Sequence, residues 1–148
     1  MYQIIGFKER RYIEELRIIT KSTAIDCIID DSFDRVIYVI RRGYMGIAIG
    51  KNGENIRKMQ KVLGKRVEMV EEAENLQEFV EHIFRPVVIS SLQPATEDSP
   101  MNIFVPHKSD LGIAIGRGGA NVEKARLLCR RFYRVEVGEI HAADEVAA

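Results

Sequence analysis

One stretch of this chain occurs twice. Gly46-Ile47-Ala48-Ile49-Gly50-Lys51-Asn52-Gly53-Glu54-Asn55-Ile56 returns 66 positions later as Gly112-Ile113-Ala114-Ile115-Gly116-Arg117-Gly118-Gly119-Ala120-Asn121-Val122. Lys58 and Lys124 also match, and upstream Ile37 and Val39 fall on Ile103 and Val105. Downstream, Val67-Glu68-Met69 aligns with Val135-Glu136-Val137 once two extra residues are allowed in the second copy. Similarity held in register over such a span is the mark of a tandem duplication, so the chain must fold as two like units. No Pro/Gly/Ser-rich linker separates them. Units of roughly 70 residues bury a marginal core alone. The expectation is two domains, 1–72 and 73–148, packed as one rigid body.

Each copy reads the same way. Residues 7–20 place Tyr12, Ile13, Leu16 and Ile19 at helical spacing. Residues 24–29 and 35–40 are β-rich and flank the turn cluster Asp30-Asp31-Ser32, which predicts a hairpin. A short helix over 44–49 stops at Gly50, a second runs from Gly53 to Gly64, and residues 66–70 supply a third strand. In the second copy the opening helix covers 75–84, and Val87-Val88-Ile89 after Pro86 reads as a strand. Residues 91–100 read as a polar loop, 101–105 as a strand and 133–137 as the last strand. Tyr38, Tyr44 and Phe132 are expected in the core.

Charge narrows the function. Lys and Arg number 22 and so do Asp and Glu, a balance that argues against a uniformly basic nucleic-acid binder. The charges are segregated, however. Lys51, Arg57, Lys58, Lys61, Lys65 and Arg66 crowd one segment, and Arg117, Lys124, Arg126, Arg130, Arg131 and Arg134 the other. Residues 67–84 carry Glu68, Glu71, Glu72, Glu74, Glu78 and Glu81 without a Lys or Arg. No apolar run is long enough to span a membrane, and the start lacks a signal-peptide pattern. Cys27 and Cys129 fit free thiols in a reducing cytoplasm. The three histidines show no metal-ligand spacing, so neither a metal nor another cofactor is expected.

The two loops, Gly50-Lys51-Asn52-Gly53 and Gly116-Arg117-Gly118-Gly119, each join two helices. Glycine permits positive φ and close approach of another backbone, and Asn52 is the non-glycine type that best tolerates the left-handed region. The following helix turns its free N–H groups and positive dipole end to the loop. Lys51 and Arg117 add full charges there. This is equipment for a chain of phosphates. The spacing fails the Walker A pattern, because three residues separate Gly46 from Gly50 and Lys51 precedes Asn52. It also fails the dinucleotide fingerprint, because Asn121 stands where the third glycine belongs.

The stretches Ala48–Ile56 and Ala114–Val122 resemble the mark of the KH family, (I/V)-I-G-x-x-G-x-x-(I/L/V), with Ala48 and Ala114 in place of the larger first aliphatic. The preceding helix and strand resemble the prokaryotic type II arrangement. The linkerless pair is similar to the KH pair of the NusA transcription factors, in their short archaeal form. That resemblance implies an α+β fold of two tandem type II KH domains, each a three-stranded sheet against helices. It implies a non-enzymatic single-stranded RNA binder acting in transcription elongation, termination or antitermination. KH modules clamp about four nucleotides through the glycine loop. Gly50, Lys51, Asn52 and Gly53, and Gly116, Arg117, Gly118 and Gly119, take that role. Ile49 with Ile56, and Ile115 with Val122, supply an apolar floor for bases. Asn55 and Lys58, like Asn121 and Lys124, reach sugar or phosphate. Arg57, Lys61, Arg126 and Arg130 add long-range attraction. RNA polymerase is a candidate partner, and a cytoplasmic monomer is expected.

Two other functions compete. A protein-interaction adaptor would present the acidic run Glu68–Glu81 to a basic partner, with residual RNA binding; Asn52, which leaves the first loop one base short, keeps that reading open. A ribosome-associated or RNA-processing KH protein would use the same chemistry elsewhere. An enzyme is least favoured, since no nucleophile elbow, zinc-helix motif or carboxylate pair has supporting spacing.

Overall fold

A computed structural model describes residues 5–146 of the 148. The outer ends of the two expected domain ranges, residues 1–4 and 147–148, lie outside the described residues. The chain forms two compact units that divide between Ala73 and Glu74. The architecture is mixed α+β, with one three-stranded sheet packed against helices in each unit.

In the first unit, α1 (Phe7–Thr20) buries Leu16 and ends where Lys21 enters the left-handed region and donates its N–H to Arg17. A hairpin follows, of β1 (Ala24–Asp30) and β2 (Arg35–Ile40), with Cys27 opposite Tyr38. Then come α2 (Met45–Ile49), α3 (Glu54–Leu63) and β3 (Arg66–Glu71), which returns parallel to β2 with Val36 opposite Val67. Parallel strands need a crossover, and here α2, the glycine loop and α3 are that crossover. The sheet therefore holds the loop. The order β1-β2-β3 puts β2 in the middle, and all six of its residues are buried. Leu16, Val36, Tyr38, Ile40, Ala48, Met59 and Val67 form the core, and the Tyr38 hydroxyl donates to the Tyr12 carbonyl at 2.7 Å.

The second unit repeats the order. Its elements are α4 (Leu76–Phe84), β4 (Ser91–Gln93), β5 (Met101–Val105), α5 (Leu111–Ile115), α6 (Ala120–Tyr133), β6 (Val137–Ala142) and α7 (Ala143–Val146). Asn75 caps α4 by accepting from the Glu78 N–H. Phe79 packs its ring against Phe132 and Tyr133, and Met101, Ile103, Val105 and Leu128 are buried.

Three expectations for this unit fail, one of them the polar loop over 91–100, whose first residues Ser91–Gln93 form β4, and so does the placement of Tyr44 in the core. Val87-Val88-Ile89 is not a strand; Val87 donates to the Phe84 carbonyl in a turn, and the pairing with β5 starts at Ser91, opposite Phe104. A run of β-branched residues therefore yields to the register that a polar segment satisfies. The last strand lies at 137–142 instead of 133–137, because α6 has 14 residues against ten in α3. Nothing like Gly64 stops it; Arg134, left-handed at φ 54°, ends it instead. Tyr44 is exposed at the start of α2.

Among the described residues no helix is long and apolar enough to cross a membrane. Both cysteines are buried and neither is in a disulfide, and burial pushes the Cys129 thiol up to about 12. At pH 8 the native protein is expected to leave both thiols unlabelled by an aromatic disulfide reagent. Urea should release two equivalents, and rapid labelling without urea would contradict this packing.

Candidate nucleic-acid interface

Both glycine loops have nearly the same backbone. Gly50 (φ 78°, ψ 169°) and Gly116 (φ 80°, ψ 165°) occupy a region that is essentially glycine-only. Asn52 (φ 56°) matches Gly118 (φ 64°), and Gly53 and Gly119 are left-handed as well. Three positive-φ residues among the four of each loop reverse the chain between two helices without a longer connection. The Gly53 N–H donates to the Gly50 carbonyl at 3.1 Å, and Gly119 to Gly116 at the same distance.

Asn55 and Asn121 lock the two loops. The Asn55 Nδ2 donates to the Ile47 carbonyl at 2.8 Å, and the Asn121 Nδ2 to the Ile113 carbonyl at 2.9 Å. Each ties the helix after the loop to the one before it. The side-chain amide is thus engaged within the protein, a positioning role that the sequence alone did not suggest. A Cβ on Gly50 would stand 2.9 Å from the Asn55 backbone nitrogen, and one on Gly116 2.9 Å from that of Asn121. Gly116→Ala therefore meets both a forbidden backbone region and a rigid neighbour. It is expected to cost roughly 2–3 kcal/mol in urea unfolding. A loss under about 0.5 kcal/mol would show that the loop accepts another shape.

The charged groups divide. Lys51 and Arg117 are exposed on the loops. Gly53 and Gly119, the cap residues of α3 and α6, bring no side-chain acceptor; the Glu54 and Ala120 N–H groups at the two helix starts donate to the Lys51 and Arg117 carbonyls, so each loop carries the positive end of the helix that follows it. Arg57 donates to the Asn52 carbonyl, which brings a guanidinium over the first loop, closer than long-range attraction requires. Lys58 is exposed and 3.3 Å from Glu54. Lys124 differs from its counterpart: only 9% of it is exposed, so it does not present the phosphate-reaching ammonium expected of it. Packing in the second unit, absent from the sequence repeat, makes the difference. Arg126 and Arg130 are paired with Glu123 and Glu136.

The apolar floor is uneven. Ile49 and Ile56 are half-buried, Val122 is buried, and Ile115 is 36% exposed. Sequence reasoning missed Ile47 and Ile113, which stand 50% and 63% exposed beside the loops. The signal was present. In a five-residue helix only Ala48 or Ala114 can turn inward, so the isoleucine before it must turn out.

Among the described residues no three His, Cys, Asp or Glu side chains cluster as a metal ion requires. What the arrangement offers is a positive helix end, a cation and an apolar shelf, twice.

Comparison with known proteins gives concordant matches. The family model described as KH domain matches residues 9–90. A protein of Halobacterium salinarum named "Probable transcription termination protein NusA" is 33% identical over 127 residues, 86% of this chain and 90% of that one. One of Methanocaldococcus jannaschii with the same name is 26% identical, covering 88% of this chain and 67% of its own. Among solved structures, the crystal structure of APE1850 is similar, with a TM-score of 0.82 and 35% identity. That match covers 93% of this chain and 99% of the other.

Proposed function

Since the chain belongs to the KH-domain family, as a NusA-like member, we propose that it binds single-stranded RNA as a non-catalytic factor in transcription elongation, termination or antitermination. Residues 1–72 and 73–148 each act as one KH domain. The observation that carries this reading is the glycine loop built twice, with the same backbone, the same asparagine lock and a cation at the same position. Gly50–Gly53 and Gly116–Gly119 hold the sugar–phosphate backbone, with Lys51 and Arg117 against phosphates. Asn52 and Gly118 let that backbone approach. Ile49 and Ile56, and Ile115 and Val122, with Ile47 and Ile113 at the edge, give the bases an apolar surface. Lys58 adds charge at the rim, while Asn55 and Asn121 act by holding the loops. RNA polymerase is the proposed protein partner of a cytoplasmic monomer.

The adaptor alternative loses support. Glu71 and Glu72 accept from the Gly43 and Arg42 N–H groups, and Glu68 meets Arg35 and Arg66. Much of the acidic run is spent inside the first unit.

The test is binding of a randomised single-stranded RNA pool at several salt concentrations. Engagement of three or four phosphates by the two loops predicts a slope of log affinity against log salt of roughly −2 to −3. A flat salt response, or no binding at low salt, would remove the loops from this role.

A further inference from the structure

We propose that the outer face of α1 docks a second protein, through a segment that sets carboxylates between apolar side chains; this goes beyond the RNA reading and does not rest on it. Lys8, Arg10, Arg11 and Arg17 are exposed on the helix and Lys21 at its cap, whereas Glu14 is the one exposed acid there. Phe7 and Ile18 stand 83% and 51% exposed among them. Successive helical residues are about 100° apart, so Phe7, Arg11, Glu14 and Ile18 form one stripe, opposite the buried Leu16 and Thr20. Arg10, Arg17 and Lys21 run along one flank of it. The two apolar residues lie three turns apart, about 16.5 Å along the axis.

The charge on this face is not balanced by its neighbours. Arg17 donates to Glu14 at 3.0 Å, and Lys8 lies over the Tyr12 ring. Arg10 and Arg11 make no ion pair among the described residues. A helix face kept only for solubility alternates its charges. Nor does the shared clamp explain the bases. The duplication keeps both glycine loops, yet α4, the counterpart of α1, bears Glu78 and Glu81 in a stretch, 67–84, without a Lys or Arg. A charge needed by the repeated machinery would stand in both copies. The basic face of α1 therefore serves a contact of its own.

The apolar residues decide which kind of anion fits. Ile18 gives a phosphate nothing and has no ring on which a base stacks. Exposed aromatic and Arg side chains together are the composition that marks the centre of protein interfaces. An Arg fork pairs two N–H groups with one carboxylate. Packed beside α1, α3 also exposes Lys61 and, at 56%, Val62. The partner thus offers Asp or Glu flanked by apolar side chains at about the spacing of Phe7 and Ile18. A helix face of roughly 21 Å by 10 Å is well short of the ~800 Å² that each partner buries in a stable complex, so the contact is transient and salt-sensitive.

The experiment selects a displayed library of randomised 16-residue peptides on the full chain, counter-selected on the variant Arg10→Glu with Arg11→Glu. Arg10→Gln with Arg11→Gln replaces that pair if circular dichroism shows α1 fraying. Selected peptides should carry Asp or Glu between apolar positions. Their affinity should fall roughly tenfold or more in the double Arg variant and threefold or more in Ile18→Ser. Lys51→Asp with Asn52→Asp should leave it unchanged, and a single-stranded RNA octamer should not displace the peptide. No binder, binders without acidic residues, or binders indifferent to Ile18→Ser would overturn the proposal. So would an RNA octamer that displaces the peptide and is itself weakened by the double Arg variant, which would give this face to RNA. Peptide binding by a wild type that binds no RNA would uphold the docking face and overturn the RNA reading alone.

Discussion

Changing Lys51 and Asn52 together to Asp is expected to weaken single-stranded RNA binding by roughly tenfold to a hundredfold at low salt, with the fold intact. The substitution replaces one positive charge by two negative ones at an exposed turn. Asp tolerates the left-handed backbone that Asn52 adopts at φ 56°, so the loop keeps its shape while its electrostatic sign reverses. Two carboxylates beside phosphates add repulsion to the lost attraction. The effect should shrink as salt rises and screening shortens its reach. In the second loop, Arg117→Asp with Gly118→Asp should act alike, although Gly118 at φ 64° adds a strain of about 1 kcal/mol that a melting curve will register. Anisotropy titrations with a native circular dichroism spectrum supply the measurement. Unchanged affinity in a folded variant would take that loop out of the interface.

How far the sequence foretold these loops depends on which physics each residue answers to. The first unit was legible almost element by element, because local signals bound every segment: Asp30-Asp31-Ser32 between the strands, Gly50 and Gly53 at the turn, Gly64 after α3. The second unit lacks such stops. With no glycine after α6, the helix ran on through Tyr133, and the strand expected there moved to Val137. Val87-Val88-Ile89 shows β propensity overridden by register, since β4 forms where it can pair with β5. The site was legible in its backbone and less so in its side chains. Positive φ at Asn52 follows from residue type alone. The burial of Lys124 and the inward engagement of Asn55 and Asn121 depend on neighbours that a linear repeat does not reveal.

A buried cation gives the largest expected effect on stability. Arg35 begins the central strand with no exposed surface, its guanidinium 2.7 Å from Asp30 and 3.2 Å from Glu68, over the Phe33 ring. Removing one partner of such a group leaves the others desolvated without compensation. Arg35→Met is therefore expected to destabilise the first unit by roughly 3–5 kcal/mol, read as a lower urea midpoint with little change in slope. The duplication suggests the rescue. In the second unit Met101 stands where Arg35 stands in the first, and Ile140, paired with Ile103, takes the place of Glu68, which pairs with Ile37. Met101 is buried and Ile140 nearly so, so one fold tolerates either an ionic or an apolar solution at this corner. Asp30→Asn keeps an acceptor for the Ser32 N–H. The triple variant Asp30→Asn, Arg35→Met, Glu68→Ile should then recover all but about 1–2 kcal/mol of the loss, since the desolvated charges go together. A single Arg35→Met variant within about 1 kcal/mol of wild type would mean that the network carries no net weight. A triple variant no better than the single would mean that the strand needs the cation itself. Either result can be read apart from RNA binding, because the network sits where β2 begins, whereas the crossover that carries the first glycine loop leaves from the other end of that strand. Below the unfolding transition the triple variant should bind RNA as wild type does.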